Sequence, residues 1–169
     1  MSVLKIRTYP DPVLKKKALP VEDINGNLQK LIDDMVETMY AAPGIGLAAP
    51  QVGELVRLIV VDVSSQQEDC PLIVLLNPEI IEVAGKIPSE EGCLSVPGYV
   101  STIQRAENVL IRGHDREGKP VEVEATGLLA RALQHEIDHL NGTLFVDRLS
   151  PIKKEFFRKR YLKRLKETS

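Results

Sequence analysis

Residues 133–142, LQHEIDHLNG, hold two histidines four positions apart. On a helix that spacing puts both imidazoles on one face, one turn above the other. Glu136 directly follows the first histidine, where metal-hydrolase helices of this kind carry a general base. Two imidazoles do not complete a catalytic metal site, which needs a third protein ligand and an open position for water. The chain offers three candidates: His114 between a strand and a turn, Asp147 in FVDRL, and Cys93 in SEEGCLSVPG. Beside Cys93, Gly92 lets the backbone come close, and the flanking Ser, Pro and Gly mark an irregular segment. A thiolate is a strong metal ligand, although free cysteine is also a common small buried hydrophobe. Spacing alone leaves the choice open. His114, within IRGHDREGKP, reads as an exposed turn residue.

These residues need elements to position them. With 169 residues, 43% of them hydrophobic, the chain has the size of a single domain, 1–169, able to bury a core. Its net charge of -2 gives the whole protein no bias toward DNA or a membrane surface. No apolar run reaches membrane-spanning length, and MSVLKIRTYPDP has neither a signal core nor an Arg/Ser-rich amphipathic stretch, so a cytoplasmic location is expected. In that reducing compartment Cys70 and Cys93 are not expected to form a disulfide. DPVLKKKA (11–18) reads as a short helix, and 25–42 as an amphipathic helix with Leu28, Leu31, Ile32, Met35, Val36 and Met39 at three-and-four spacing. From 55 to 125 the pattern changes to short β-branched runs separated by Gly, Pro and Asp/Asn turn signals: VRLIVVDV, PLIVLLNP, EIIEVAG, VLIRGHD and PVEVEA. Strands in the middle with helices on the flanks predict an α+β fold.

On the histidine helix, 126–141, Leu128, Ala132, His135 and His139 share one stripe, and Leu129, Leu133, Ile137 and Leu140 form a second. A helix apolar on more than one side is central to its domain. Asn141-Gly142 supplies a left-handed stop. Ser150 and Pro151 then open a last helix as N-cap and first helical residue.

PGIGLAAPQVG (43–53) packs Gly44, Gly46, Ala48 and Ala49 together directly after a helix, more small residues than a helix stop requires. Such a run lets a ligand or a neighbouring strand approach the backbone. Gln51 offers an amide that can donate to an oxyanion without titrating. In this order and at these spacings, GIGLAAPQ, EGCLS and QHEIDH resemble the three signature motifs of the peptide deformylases, and the likeness covers essentially the whole chain. The resemblance implies antiparallel β-sheets packed around a central metal-binding helix, with a C-terminal helix. It implies removal of the formyl group from the formylmethionine of nascent polypeptides. It also implies Cys93, His135 and His139 as ligands to one divalent metal, with Glu136 as general acid/base. Gln51 and the Leu94 N–H would stabilise the oxyanion, and Ile45, Gly46 and Gly92 would pair with the substrate backbone. Iron(II) is the metal the resemblance implies for the cell, with zinc, nickel or cobalt in purified protein.

Leu128 and Ala132 on the histidine stripe can line a methionine pocket with Ile45, while Arg131 and Val100 set the shape and charge of its rim. Glu90 reads as a solvated surface residue and Glu91 as a group that orients a ligand from behind. Two other readings compete: a zinc endopeptidase, the usual owner of a two-histidine helix, and an inactive ribosome-binding protein. The tail, 150–169, carries eight lysines and arginines against Glu155 and Glu167, while the rest of the chain is acidic. It reads either as a solvated helix docked through Ile152, Phe156, Leu162 and Leu165, or as a helix that contacts ribosomal RNA phosphates.

Overall fold

Asn25 caps the first long helix, its side chain accepting from the Leu28 amide at 2.9 Å. The helix, α1 (Gly26–Ala41), buries Leu28, Ile32, Met35 and Met39 on one face. That face packs on Leu47, Leu58, Val60 and Leu76, which come from strands. The structure, a computed structural model, describes residues 2–168. Its strands are β1 (Gly46–Ala48), β2 (Leu58–Val61), β3 (Ile73–Ala84), β4 (Ile87–Cys93), β5 (Val96–Arg105), β6 (Asn108–His114) and β7 (Pro120–Thr126). Helices α2 (Gly127–Leu140) and α3 (Pro151–Thr168) follow. Five strands form an antiparallel sheet in the order β1-β2-β3-β6-β7, and β4-β5 form a separate hairpin. This is the expected α+β architecture. Among the described residues, no helix is long and apolar enough to cross a membrane.

Helix α2 runs between the two sheets. Leu129, Leu133, Ile137 and Leu140 pack on Ile59, Val61, Leu75 and Ile111 of the large sheet. Each such side chain contributes roughly 1.5–3 kcal/mol by leaving water. Beyond its opposite side, Val96, Ile103, Phe145, Phe157 and Tyr161 form another cluster, in which α3 and the hairpin meet. Residues 132–140 are all buried, including Gln134 and Asp138 on the side that carries neither stripe. Gln134 is satisfied by the backbone of Ala106, accepting at 3.0 Å and donating at 2.9 Å. Gly142, at φ 73°, supplies the left-handed stop.

Four expectations change. The 11–18 segment forms only a 3-10 turn, Pro12–Lys15, because Ala18 and Leu19 donate to the Leu140 and Leu55 carbonyls and are held extended. The runs 71–78 and 79–85 are one strand, β3: Asn77 takes φ 50° and binds both backbone groups of Val21, so the Asn-Pro signal makes a bulge rather than a turn. His114 ends β6 and is half-buried instead of lying in an exposed turn. In α3 the docked face is wrong by one residue: Phe157 and Tyr161 are buried, while Ile152 is 71% and Phe156 62% exposed. Leu162 is also exposed, and of the four residues expected to dock only Leu165 packs on the core.

Candidate active site

Cys93 is the last residue of β4, not part of an irregular segment as its neighbours suggested. The irregularity lies just beyond it. Cys93 pairs with Val96 and Gly92 with Val100, so Pro97, Gly98 and Tyr99 bulge out of β5, with Gly98 at φ 80°. Bulges of this kind re-aim side chains beside active sites. The tight end of the hairpin turns the Cys93 thiol toward α2, where its sulfur lies 3.4 Å from His139 Nε2. One ligand atom each from Cys93, His135 and His139 can be chosen within 4.8 Å of one another. Tetrahedral coordination at ordinary metal–ligand lengths sets such atoms about 3.5 Å apart, so the donors could hold one ion. His114 and Asp147, the other sequence candidates, are not in the cluster.

The groups behind the donors fit the same reading. His135 Nδ1 lies 2.9 Å from Glu91 Oε1, which directs the other ring nitrogen toward Cys93. Glu91 is held in turn by Arg105, through Nε and Nη2 at 2.8 Å each, and by the Ser89 hydroxyl at 2.8 Å. Burial alone would raise the Glu91 pKa, but the Arg105 and His135 hydrogen bonds outweigh it and bring it down to about 2. Arg105 also donates to Asp138 at 2.6 Å, and Arg148 donates to both Asp138 oxygens at 2.7 Å. A chain of alternating charge, buried except at exposed Arg148, thus braces α2 against β4 and β5. Burial, reinforced by the charge of its neighbours His135 and Arg105, depresses the His139 pKa well below the usual range, whereas at His135 burial is outweighed by the hydrogen bonds to Cys93 and Glu91, which raise it.

Glu136 is buried on the cleft side, and its Oε1 has no hydrogen-bond partner among the described residues. Burial pushes its pKa up to about 7, with the His135 charge opposing and Glu91 adding to the rise. A carboxyl near neutrality can both take and give a proton. Its place depends on Gly46, because a Cβ there would lie 2.5 Å from Glu136 Oε2. Gln51 sits in a 3-10 turn after β1, with Oε1 accepting from the Ala48 amide at 2.9 Å. That anchor turns Nε2 toward Ser95 Oγ at 3.1 Å and the Cys93 sulfur at 3.6 Å.

A cleft of about 710 Å³ joins these groups. Ile45, Gly46, Gln51, Gly92, Cys93, Leu94, Leu128, Ala132, His135 and Glu136 all line it, and His139 lies buried behind. Arg131 is on its wall, whereas Val100 is exposed and outside the lining. Sequence reasoning missed Arg105, Asp138 and Ser95. The signal for Arg105 was its place two residues after Ile103 on an alternating strand, which points a charge inward.

A small α+β hydrolase with a candidate thiolate–imidazole metal centre is the class that this fold and site define. A family model described as polypeptide deformylase matches residues 3–155. A peptide deformylase from Thermodesulfovibrio yellowstonii is 62% identical over 161 residues, covering 95% of this chain and 98% of the relative. One from Syntrophobacter fumaroxidans is 57% identical over 169 residues, covering 100% and 99%. The crystal structure of a peptide deformylase from Legionella pneumophila superposes with a TM-score of 0.89 at 49% identity, covering 99% of both chains. The chain belongs to the polypeptide deformylase family, whose members are hydrolases.

Proposed function

We propose that this protein hydrolyses the N-formyl group from the formylmethionine of nascent polypeptides, releasing formate, at a metal held by Cys93, His135 and His139. The observation that carries the reading is the convergence of those three donors beside Glu136, whose buried Oε1 has no partner. When bound, a divalent metal supplies Lewis acidity toward water and the formyl carbonyl. Glu136 takes the proton of the attacking water and returns it to the departing amine. Gln51 Nε2 and the Leu94 N–H donate to the formyl oxygen as its charge grows, a contribution of about 10²–10³-fold per donor. The backbones of Ile45, Gly46 and Gly92 pair with the peptide as an added strand. The methionine side chain lies against Leu128, Ala132 and Ile45, with Arg131 at the rim. A tight fit around the formyl hydrogen excludes the extra methyl of an acetyl group.

The working metal we propose is iron(II). Oxygen would attack both iron(II) and its thiolate ligand, and nickel(II) or cobalt(II), which resist oxidation, should give active, air-stable protein. The test is release of the free methionyl amine from formyl-Met-Ala-Ser and acetyl-Met-Ala-Ser, with formate or acetate as the co-product, by protein of known metal content. The formyl peptide alone should turn over, and chelation should abolish that turnover. Equal rates on the two peptides reject the specificity argument, and full activity without metal rejects the centre.

Such a substrate implies work in the cytoplasm beside the ribosome. We assign the exposed lysines of α3, Lys153 and Lys159 among them, to ribosomal RNA phosphates. Deleting the helix is a poor test, since Phe157 and Tyr161 belong to the core. Charge reversal at Lys153 and Lys159 should weaken co-sedimentation with ribosomes while formyl-Met-Ala-Ser turnover persists. Undiminished sedimentation at low salt would leave α3 as a solvated helix.

A further inference from the structure

The bulge after Cys93 has a second consequence. Gly98 lies on the wall of the active-site cleft and also on a neighbouring groove of about 560 Å³ between β5 and α3. Tyr99, Phe157 and Tyr161 form the floor of that groove, and Arg160, Lys163 and Arg164 stand along its rim. The floor is packed ring on ring: Tyr99 and Phe157 lie 4.6 Å apart, and Phe157 and Tyr161 5.3 Å apart. At the junction Arg164 Nη1 donates to the Gly98 carbonyl at 3.4 Å, which holds its guanidinium beside the residue that the two cavities share. Arg160 and Lys163 are exposed and make no ion pair among the described residues. Glu167, at the far end, is the acidic residue that lines the groove.

From this the geometry points to a binding groove for the downstream part of the substrate chain, selective for acidic side chains. The inference rests on the proposed deformylase reading, because it takes the cleft as the seat of the amino-terminal methionine. A peptide seated there beside the Gly92 backbone must leave the cleft along one of its walls. The wall that the cleft shares with the neighbouring groove is the one carrying Gly98. A chain running past Gly98 reaches a surface that is positive at the rim and aromatic beneath. Peptide backbone and aliphatic stems can lie on the aromatic floor while carboxylates face Arg160 and Lys163. Neutral sequences lose the charge pairing and keep the floor contact. Lysine-rich sequences meet like charge. Lys153 and Lys159, assigned to RNA above, do not line this groove, so different substitutions test the two proposals.

The test uses metal-loaded, full-length protein and fluorescent methionyl peptides without the formyl group. Members of a pair differ only in an Asp/Glu or Asn/Gln run placed roughly four to eight residues after the methionine, at about 3.3 Å per extended residue. At low salt the acidic peptide should bind about three- to tenfold tighter, the range expected for two or three partly exposed charge pairs. The preference should vanish in high salt and in the R160E/K163E variant, whose changes lie at exposed positions outside the core. Equal binding of the two peptides, or a preference that survives R160E/K163E, overturns the inference. So does a variant that loses ribosome binding with its peptide preference intact, for then the groove is an RNA contact. Formyl-Met-Ala-Ser is too short to reach α3 and reports on the underlying reading by itself. An acidic preference in a protein that cannot hydrolyse this tripeptide would support the groove while rejecting the deformylase assignment.

Discussion

Replacing Gly46 with alanine adds one methyl group at the point where the structure has least room for it. The new Cβ would meet Glu136 Oε2 at 2.5 Å and its Cγ and Cδ at 3.0 Å, whereas ordinary contact begins near 3.4 Å. The carboxylate must therefore retreat by about 1 Å or rotate. The direction of retreat is limited, because Glu136 is only 5% exposed and sits on a helix packed on both sides. A misplacement of about 1 Å in a reacting group costs on the order of 10²-fold in rate, and positioned acid/base groups contribute about 10²–10⁴-fold. Gly46→Ala should thus lower kcat on formyl-Met-Ala-Ser by roughly 10²-fold or more. It should keep its metal, since the three atoms nearest the added methyl all belong to Glu136 and none to Cys93, His135 or His139. The assay is a double-mutant cycle with Glu136→Ala. If the methyl acts by displacing Glu136, it costs little more once that carboxylate is gone, and the two losses are strongly non-additive. Losses that multiply in the double variant would refute the steric argument, and Gly46 would then matter only through its backbone.

Three other perturbations read the groups around the site. Arg105→Met leaves Glu91 and Asp138 buried without their shared partner, a loss of about 3–5 kcal/mol, visible as a fall of roughly 6–20 °C in Tm; an unchanged Tm would mean that the charge chain does not brace the helix. Glu91→Gln keeps an oxygen near His135 but removes the charge, and metal competition should show affinity about 10–100-fold weaker, with undiminished affinity as the contrary result. Tyr40 donates to the Asp62 carboxylate, and this hydrogen bond, with burial adding, pushes its pKa up to about 12 from 10. A raised tyrosine pKa favours the folded state fully below the ordinary value and loses that contribution as pH climbs through the raised one. Tyrosinate absorbance should show a component titrating near pH 12 that Tyr40→Phe removes, and its persistence in the variant would assign it to another tyrosine.

Much of the site was legible because its chemistry is compact in the sequence. His135, Glu136 and His139 lie within two turns of one helix, so spacing alone fixes their face. The helix's double apolar stripe likewise announced that it would be enclosed, as its burial between the sheets bears out. Cys93 was harder, since local signals could not separate it from His114 and Asp147. What brings it to the histidines is the contact of the β4-β5 hairpin, with its bulge at Gly98, with a helix whose His139 lies forty-six positions further on. The same long-range character hid Arg105, whose partners Glu91 and Asp138 lie fourteen and thirty-three positions away. In α3 the error was one of phase. Phe156 and Phe157 are adjacent, and only the position of Tyr9 and Tyr99 in three dimensions decides that Phe157 is the one enclosed. Asn77-Pro78 misled for a related reason: an Asx side chain that binds the Val21 backbone stabilises a left-handed residue inside a strand as readily as in a turn.

The most direct test of the account is formate release from formyl-Met-Ala-Ser, measured per bound metal for wild-type protein and Cys93→Ser prepared without oxygen. The wild type should carry about one metal per chain and turn the peptide over. Cys93→Ser should lose tight metal binding and activity together, because a serine hydroxyl does not readily ionise to replace a thiolate. A Cys93→Ser protein that keeps stoichiometric metal and near-full formate release would contradict the Cys93, His135 and His139 centre on which the mechanism rests.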